Sequence, residues 1–149
     1  MNTDEFRKIV EDFDRDIATL DADRAARRPS DGSWSLKEIL GHLIDSAANN
    51  HNRFVRLIQG NLESFPTYKA ADWVSSQSYQ DADWDNLRAL WRVYNRHLLH
   101  VVAGLPEDSL KNEWILEEDV GADLEWLVQD YYEHMAHHIR KFWEKVGDL

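Results

Sequence analysis

The sequence predicts an all-α fold, a four-helix bundle with a longer middle connection. Three observations carry that expectation. Apolar residues recur every three to four positions through four long stretches, the period of one buried helix face. Glycines bound those stretches at Gly32, Gly60, Gly104 and Gly147. A chain of 149 residues with 43% hydrophobic residues and seven Trp is long enough and apolar enough to bury a core as one domain, 1–149.

The first stretch, from Thr3 or Asp4 to about Asp23, carries Phe6, Ile9, Val10, Phe13, Ile17 and Leu20 on one face, with acids near its start where the helix dipole favours them. Pro29, Ser30, Asp31 and Gly32 then punctuate the chain. The second helix is expected over 36–59. Ser35 and Glu38 form a capping box, Trp34 precedes the cap where it can pack back, and a stripe runs from Leu36 to Ile58. Residues 61–82 are the least periodic, a crossover anchored by Pro66, Tyr68, Trp73 and Tyr79 with a short helix near Ala70–Ser76. The third helix runs from about Asp83 to Ala103 and ends at Gly104 and Pro106. Residues 107–121 fit a short helix or an extended pass, and the last helix spans roughly Asp123–Val146 with Gly147 after it. No segment requires a strand, although 64–80 or 112–118 could pair briefly. Trp84, Trp91 and Trp143 fall at core positions, while Trp73 and Trp114 border a pocket or a partner surface.

Charge and composition exclude several functions. With 17 Lys plus Arg against 28 Asp plus Glu, the formal charge is -11, which opposes nucleic acid or an anionic membrane as partner. The absence of cysteine removes disulfides and thiolate ligands. The first residues form neither a secretory signal nor a membrane span, so a cytoplasmic location is the expectation.

The candidate chemistry lies in the histidines. His134 and His138 stand one turn apart on one face of the last helix, the spacing two imidazoles need to bind one ion. His137 points about 80° away, toward the polar surface. The competing reading is a pair of buried histidines hydrogen-bonded to neighbours. A site needs a third donor, and His42, early in the second helix beside its apolar stripe, is the best candidate. Three imidazoles with an open position suit Zn²⁺, Ni²⁺ or Fe²⁺ better than Ca²⁺ or Mg²⁺. No fourth protein ligand suggests itself. His51 lies on the far side of its helix and is expected to face solvent, and His97 and His100 read as ordinary helix residues.

The segments WSLKEILGHLIDSAANNHNRF (Trp34–Phe54) and DYYEHMAHHIRKF (Asp130–Phe142) resemble the DinB/YfiT-like superfamily of metalloenzymes. With the order and size of the helices, the resemblance covers nearly the whole chain. It implies an up–down–down–up bundle, a homodimer, and a metal triad that falls here on His42, His134 and His138, with His137 left out. It also implies small-molecule chemistry. Known activities join low-molecular-weight thiols to electrophiles, and others are isomerisations or amide hydrolyses. Arg140-Lys141 departs from the usual Gly/Ala-Gln of the terminal motif, which leaves the ligands in place and the subgroup open.

Two classes of function follow. As an enzyme, the chain uses a divalent ion to activate a thiol or a water for attack on a small electrophile, amide or ester. Asp45 then accepts a proton, Asn49 orients substrate or a ligand histidine, and Arg53 meets a substrate carboxylate if it faces the cleft. The plainer roles are a surface or capping residue for Asp45, a core bridge for Asn49 and a surface ion pair for Arg53. As a quieter protein, the chain is a dimeric binding or stress-response bundle with a structural or vestigial metal.

Overall fold

The computed structural model describes residues 1–116 and 121–149. Four long helices build the bundle: α1 (Thr3–Ile17), α3 (Leu36–Gln59), α5 (Trp84–Ala103) and α6 (Leu124–Asp148), with short helices α2 (Ala22–Ala26) and α4 (Ala70–Ser76) between them. Side-chain pairings fix their directions. Phe6 stacks on Tyr132 and Phe13 meets Phe142, so α1 and α6 run parallel. Phe13 also meets Trp91, and the Trp84 indole N–H donates to the Leu20 carbonyl, so α5 runs against α1. His42 meets His138 while Phe54 meets Tyr131, so α3 runs against α6. The order is therefore up–down–down–up. Neighbours α3 and α5 are parallel, which is why the chain between them must travel the length of the bundle.

Boundaries agree where capping chemistry is strong. The box predicted at Ser35 is complete: Ser35 Oγ accepts from the Glu38 amide and Glu38 accepts from the Ser35 amide at 3.0 Å. The first helix is shorter than expected. Thr19 and Leu20 amides donate to Asp16 and Ile17 carbonyls, tightening the last turn, and Asp21 caps α2 by accepting from Arg24. The last helix runs past Gly147 to Asp148. The described part of 107–121 combines both expected forms, a 3-10 turn (Glu107–Lys111) followed by a strand (Glu113–Ile115). The strands β1 (Leu62–Glu63), β2 (Glu113–Ile115) and β3 (Gly121–Asp123) pair in that order, β1 parallel to β2 and β2 antiparallel to β3. This small sheet tacks the two long connections together beside the bundle and adds no central layer. The expected pairing over 112–118 falls partly outside the described residues.

The core holds Trp84 and Trp91, as predicted, while Trp143 packs half-buried at its edge and Trp73 is exposed. Among the described residues, no helix is long and apolar enough to cross a membrane.

Candidate metal centre

The apolar stripe of α3 turns its opposite edge into a polar ladder. Of nine buried polar or charged residues among those described, Glu38, His42, Asp45, Ser46, Asn50 and Arg53 lie on this one helix. A helix serving only as packing would fill such positions with Leu or Ala, so α3 is where function must be sought.

His42 is 4% exposed and faces α6. Its Nε2 lies 3.2 Å from Nε2 of His138, which lies 3.0 Å from Nε2 of His134. The three donor atoms all stand within 4.8 Å of one another. Nitrogens at about 2.1 Å from a shared ion stand roughly 3.0 Å apart at a right angle and roughly 3.4 Å apart at the tetrahedral angle. The His42–His138 and His138–His134 spacings fall in that range. A hydrogen-bonded chain explains them less well, because the one lone pair or one proton at His138 Nε2 serves only one neighbour properly.

Electrostatics favours the form a cation needs. Burial, then the neighbouring His134, pushes His42 down to about 4. Burial, followed by His42, His134 and His137, pushes His138 down to about 4 as well. His134 is lowered chiefly by burial, with Asp130 one turn earlier pulling the other way. All three rings are neutral at pH 7 and offer lone pairs. The Trp34 ring, 5.5 Å from that of His42, covers its outer side, as the position before the cap suggested. Buried His42 Nδ1 has no hydrogen-bond partner among the described residues, so this ring lacks the orienting acceptor that ligand histidines usually have. The cluster could hold a divalent metal. His137 is exposed and outside it, its ring 5.4 Å from that of His138.

A cleft of about 540 Å³ adjoins the cluster, lined by His138, Trp34, Ile39, Lys141 and Lys145 among others. Lys145 ties its wall by donating to Ser33 Oγ and, at 3.1 Å, to the Trp34 carbonyl.

The other predicted residues take more varied places. Asp45 is neither a surface nor a capping residue: it is 2% exposed, and its Oδ1 accepts from Tyr79 at 2.6 Å and Gln77 at 2.7 Å. Its Oδ2 has no partner among the described residues, and burial raises its pKa. Asn49 is half-buried and donates to the Asp45 carbonyl at 2.9 Å. Among the described residues Arg53 makes no surface ion pair. It is 8% exposed, under the rings of Trp114 and Tyr68. His51 is not solvent-facing but half-buried between α3 and α5, with Nδ1 3.0 Å from the Tyr94 hydroxyl.

The sequence profile of the DinB superfamily matches residues 4–141. This chain belongs to the DinB superfamily. Solved structures agree on the fold. YfiT from Bacillus subtilis, described as a probable metal-dependent hydrolase with an unusual four-helix bundle topology, is 18% identical with a TM-score of 0.79 over 97% of this chain and 87% of its own. A DinB-like protein from the same organism is 19% identical, TM-score 0.68, covering 98% of this chain and 89% of that one. A mycothiol-dependent maleylpyruvate isomerase is 14% identical, TM-score 0.69, covering 99% of this chain but 59% of its own length. No curated protein matches.

Several residues of this DinB-fold site escape a reading of the sequence. Tyr79 and Gln77 hold Asp45, and Trp114 and Tyr68 cover Arg53, all from aperiodic connections. Asp130 carried a signal, since its position four before His134 puts it on the histidine face.

Proposed function

We propose that the chain is a metal-dependent enzyme in which His42, His134 and His138 hold a divalent transition ion (Zn, Ni or Fe), and which joins a low-molecular-weight thiol to a small electrophile. The convergence of three neutral imidazole nitrogens beside an open cleft carries this reading. Such an ion, when bound, favours a thiolate over a thiol and polarises an electrophile. The protein's own groups do the rest. Buried His42 turns its Nε2 into the cluster, the Trp34 ring packs beside it, and the cleft wall carries Lys141 and Lys145 together with Glu144 and Asp148, so that charges of both signs are available to orient a polar substrate. The thiol dependence of one structural relative, the mycothiol-dependent maleylpyruvate isomerase, supports the reading as an analogy of fold.

Hydrolysis of an amide or ester is the second reading, favoured by the unpartnered Asp45 Oδ2. A buried carboxylate of raised pKa is a better proton acceptor than an ordinary one, and this one lies one turn from His42 on α3. The description of YfiT supports it in the same way.

Untagged protein loaded with each ion, tested on a panel of thiol–electrophile pairs and on amides and esters, separates these. Metal-dependent thiol addition lost in His138→Ala is the expected result. Amide or ester turnover without thiol addition selects hydrolysis, and a metal-loaded protein inert on both panels selects a non-catalytic bundle.

A further inference from the structure

Arg53 is a buried cation that the fold does not need. It is 8% exposed, and among the described residues no carboxylate lies within ion-pair reach of it. Its guanidinium carbon sits 4.2 Å from the Trp114 ring centre and 5.9 Å from that of Tyr68. Nη1 makes one long contact, 3.4 Å, to Asn50 Oδ1, and Nε has no partner. Cation–π contacts offset only part of the cost of taking a guanidinium out of water. A methionine would fill the same space without that cost.

We propose that Arg53 anchors a carboxylate on the substrate, opposite the histidine cluster. This rests on the metal-dependent reading above and adds the substrate class. Three observations support it. At about 100° per residue, His42, Ser46, Asn49 and Arg53 fall within about 60° of one another, so anchor and cluster share one face of α3. That face looks onto α6, where Asp130 acts on both Arg53 and His134. The cover over Arg53 comes from the two long connections. Trp114 belongs to β2, its indole N–H held by the Phe65 carbonyl at 3.1 Å, and Tyr68 precedes α4. Segments that the helix packing does not require thus set two aromatic rings against a planar cation whose Nε has no partner among the described residues. That geometry suits a planar carboxylate bound in bidentate fashion.

Charge and length narrow the ligand. Asp130 and Asp45 add negative potential around Arg53 and Tyr68, which disfavours a dianionic phosphate and leaves room for one charge. The guanidinium leans back to Asn50, eight residues from His42. That is on the order of 12 Å along the helix. The substrate is therefore an elongated acid with its reacting group several bonds from its carboxylate.

The test is titration of zinc-loaded, full-length protein with adipate, its uncharged diamide and inorganic phosphate. The readout is the Arg53 Nε–H resonance, assigned by its disappearance in Arg53→Lys. Adipate should shift this resonance saturably and the diamide should not, while Arg53→Gln weakens adipate binding by roughly 30-fold or more with zinc content and helix content unchanged. No shift with adipate, equal binding by Arg53→Gln, or a stronger response to phosphate overturns the proposal. If Arg53→Gln does not fold, the wild-type titration decides alone. Zinc content is measured separately, so a wild type that binds adipate at Arg53 without retaining zinc refutes the metal centre and not the anion subsite.

Discussion

Replacing His138 with alanine is the sharpest perturbation of the proposed centre, because its Nε2 is the middle atom of the cluster. It lies 3.2 Å from His42 and 3.0 Å from His134. Removing it leaves two donors. Structural zinc sites with four ligands bind with about 10–16 kcal/mol, or about 2.5–4 kcal/mol per ligand. Loss of one imidazole should then weaken binding by roughly 100-fold or more. The bundle should survive, since His138 is only half-buried and the core rests on fully buried residues such as Trp91, Phe13, Phe142 and Tyr131. His137→Ala is the matched control: an adjacent imidazole of the same size, exposed and outside the cluster. Metal per chain, measured after chelation, reloading and competition with a graded chelator, should fall steeply in His138→Ala and stay within about twofold of wild type in His137→Ala. Equal affinity in wild type and His138→Ala would falsify the triad. Loss in His137→Ala with retention in His138→Ala would place the third ligand at His137 instead.

Acid should destabilise the metal-free protein through His42, whose folded pKa of about 4 lies below the ordinary 6.5. The unfolded chain takes the proton first, so stability is complete above 6.5 and is lost as pH falls toward 4, by about 2 kcal/mol at pH 5 for one such histidine. Urea midpoints at pH 7 and 5 should separate more in wild type than in His42→Gln, and equal separations refute the assignment. Gly41→Ala should destabilise: the new Cβ would sit 2.2 Å from a Tyr79 ring atom. Overpacking of about 1–3 kcal/mol outweighs the roughly 1 kcal/mol of helix propensity gained. In a Tyr79→Ala background the same change should stabilise instead. The expected homodimer predicts a solution mass of twice 17.5 kDa, and a monodisperse monomer at micromolar concentration rejects it.

What could be read from the sequence was what neighbouring residues decide. Leu36–Gln59 matches the predicted span because Ser35 and Glu38 satisfy each other's amides within one turn. The pairing of His134 with His138 follows from helical spacing alone, and His42 entered as the best third donor on its stripe. Failures of boundary have local causes that compete with periodicity. Leu20 continues the apolar rhythm of α1 and is buried, yet it sits in a turn because Asp21 starts a new helix. Gly147 looked like a stop, but glycine ends a helix only where the chain turns away, as at Gly60 with φ 149°. Strands of two or three residues are too short to show any alternation.

Arg53 marks where such reasoning runs out. In a chain of net charge -11, an arginine on a helix is expected to find an acid at the surface. Nothing within a turn of it says otherwise. Its burial is decided by Trp114 and Tyr68, which arrive from the two connections whose lack of period made them unreadable. Asp45 follows the same rule, held by Tyr79 and Gln77 from the crossover. In both cases α3 supplies a polar group on a regular register and an irregular segment determines its environment. The three clustered histidines, all on long helices, needed no such help. The division suggests how specificity can change in this fold: substitutions in 61–82 and 107–116 should alter which acid is bound while leaving metal affinity intact, because they reach the anchor and not the histidines.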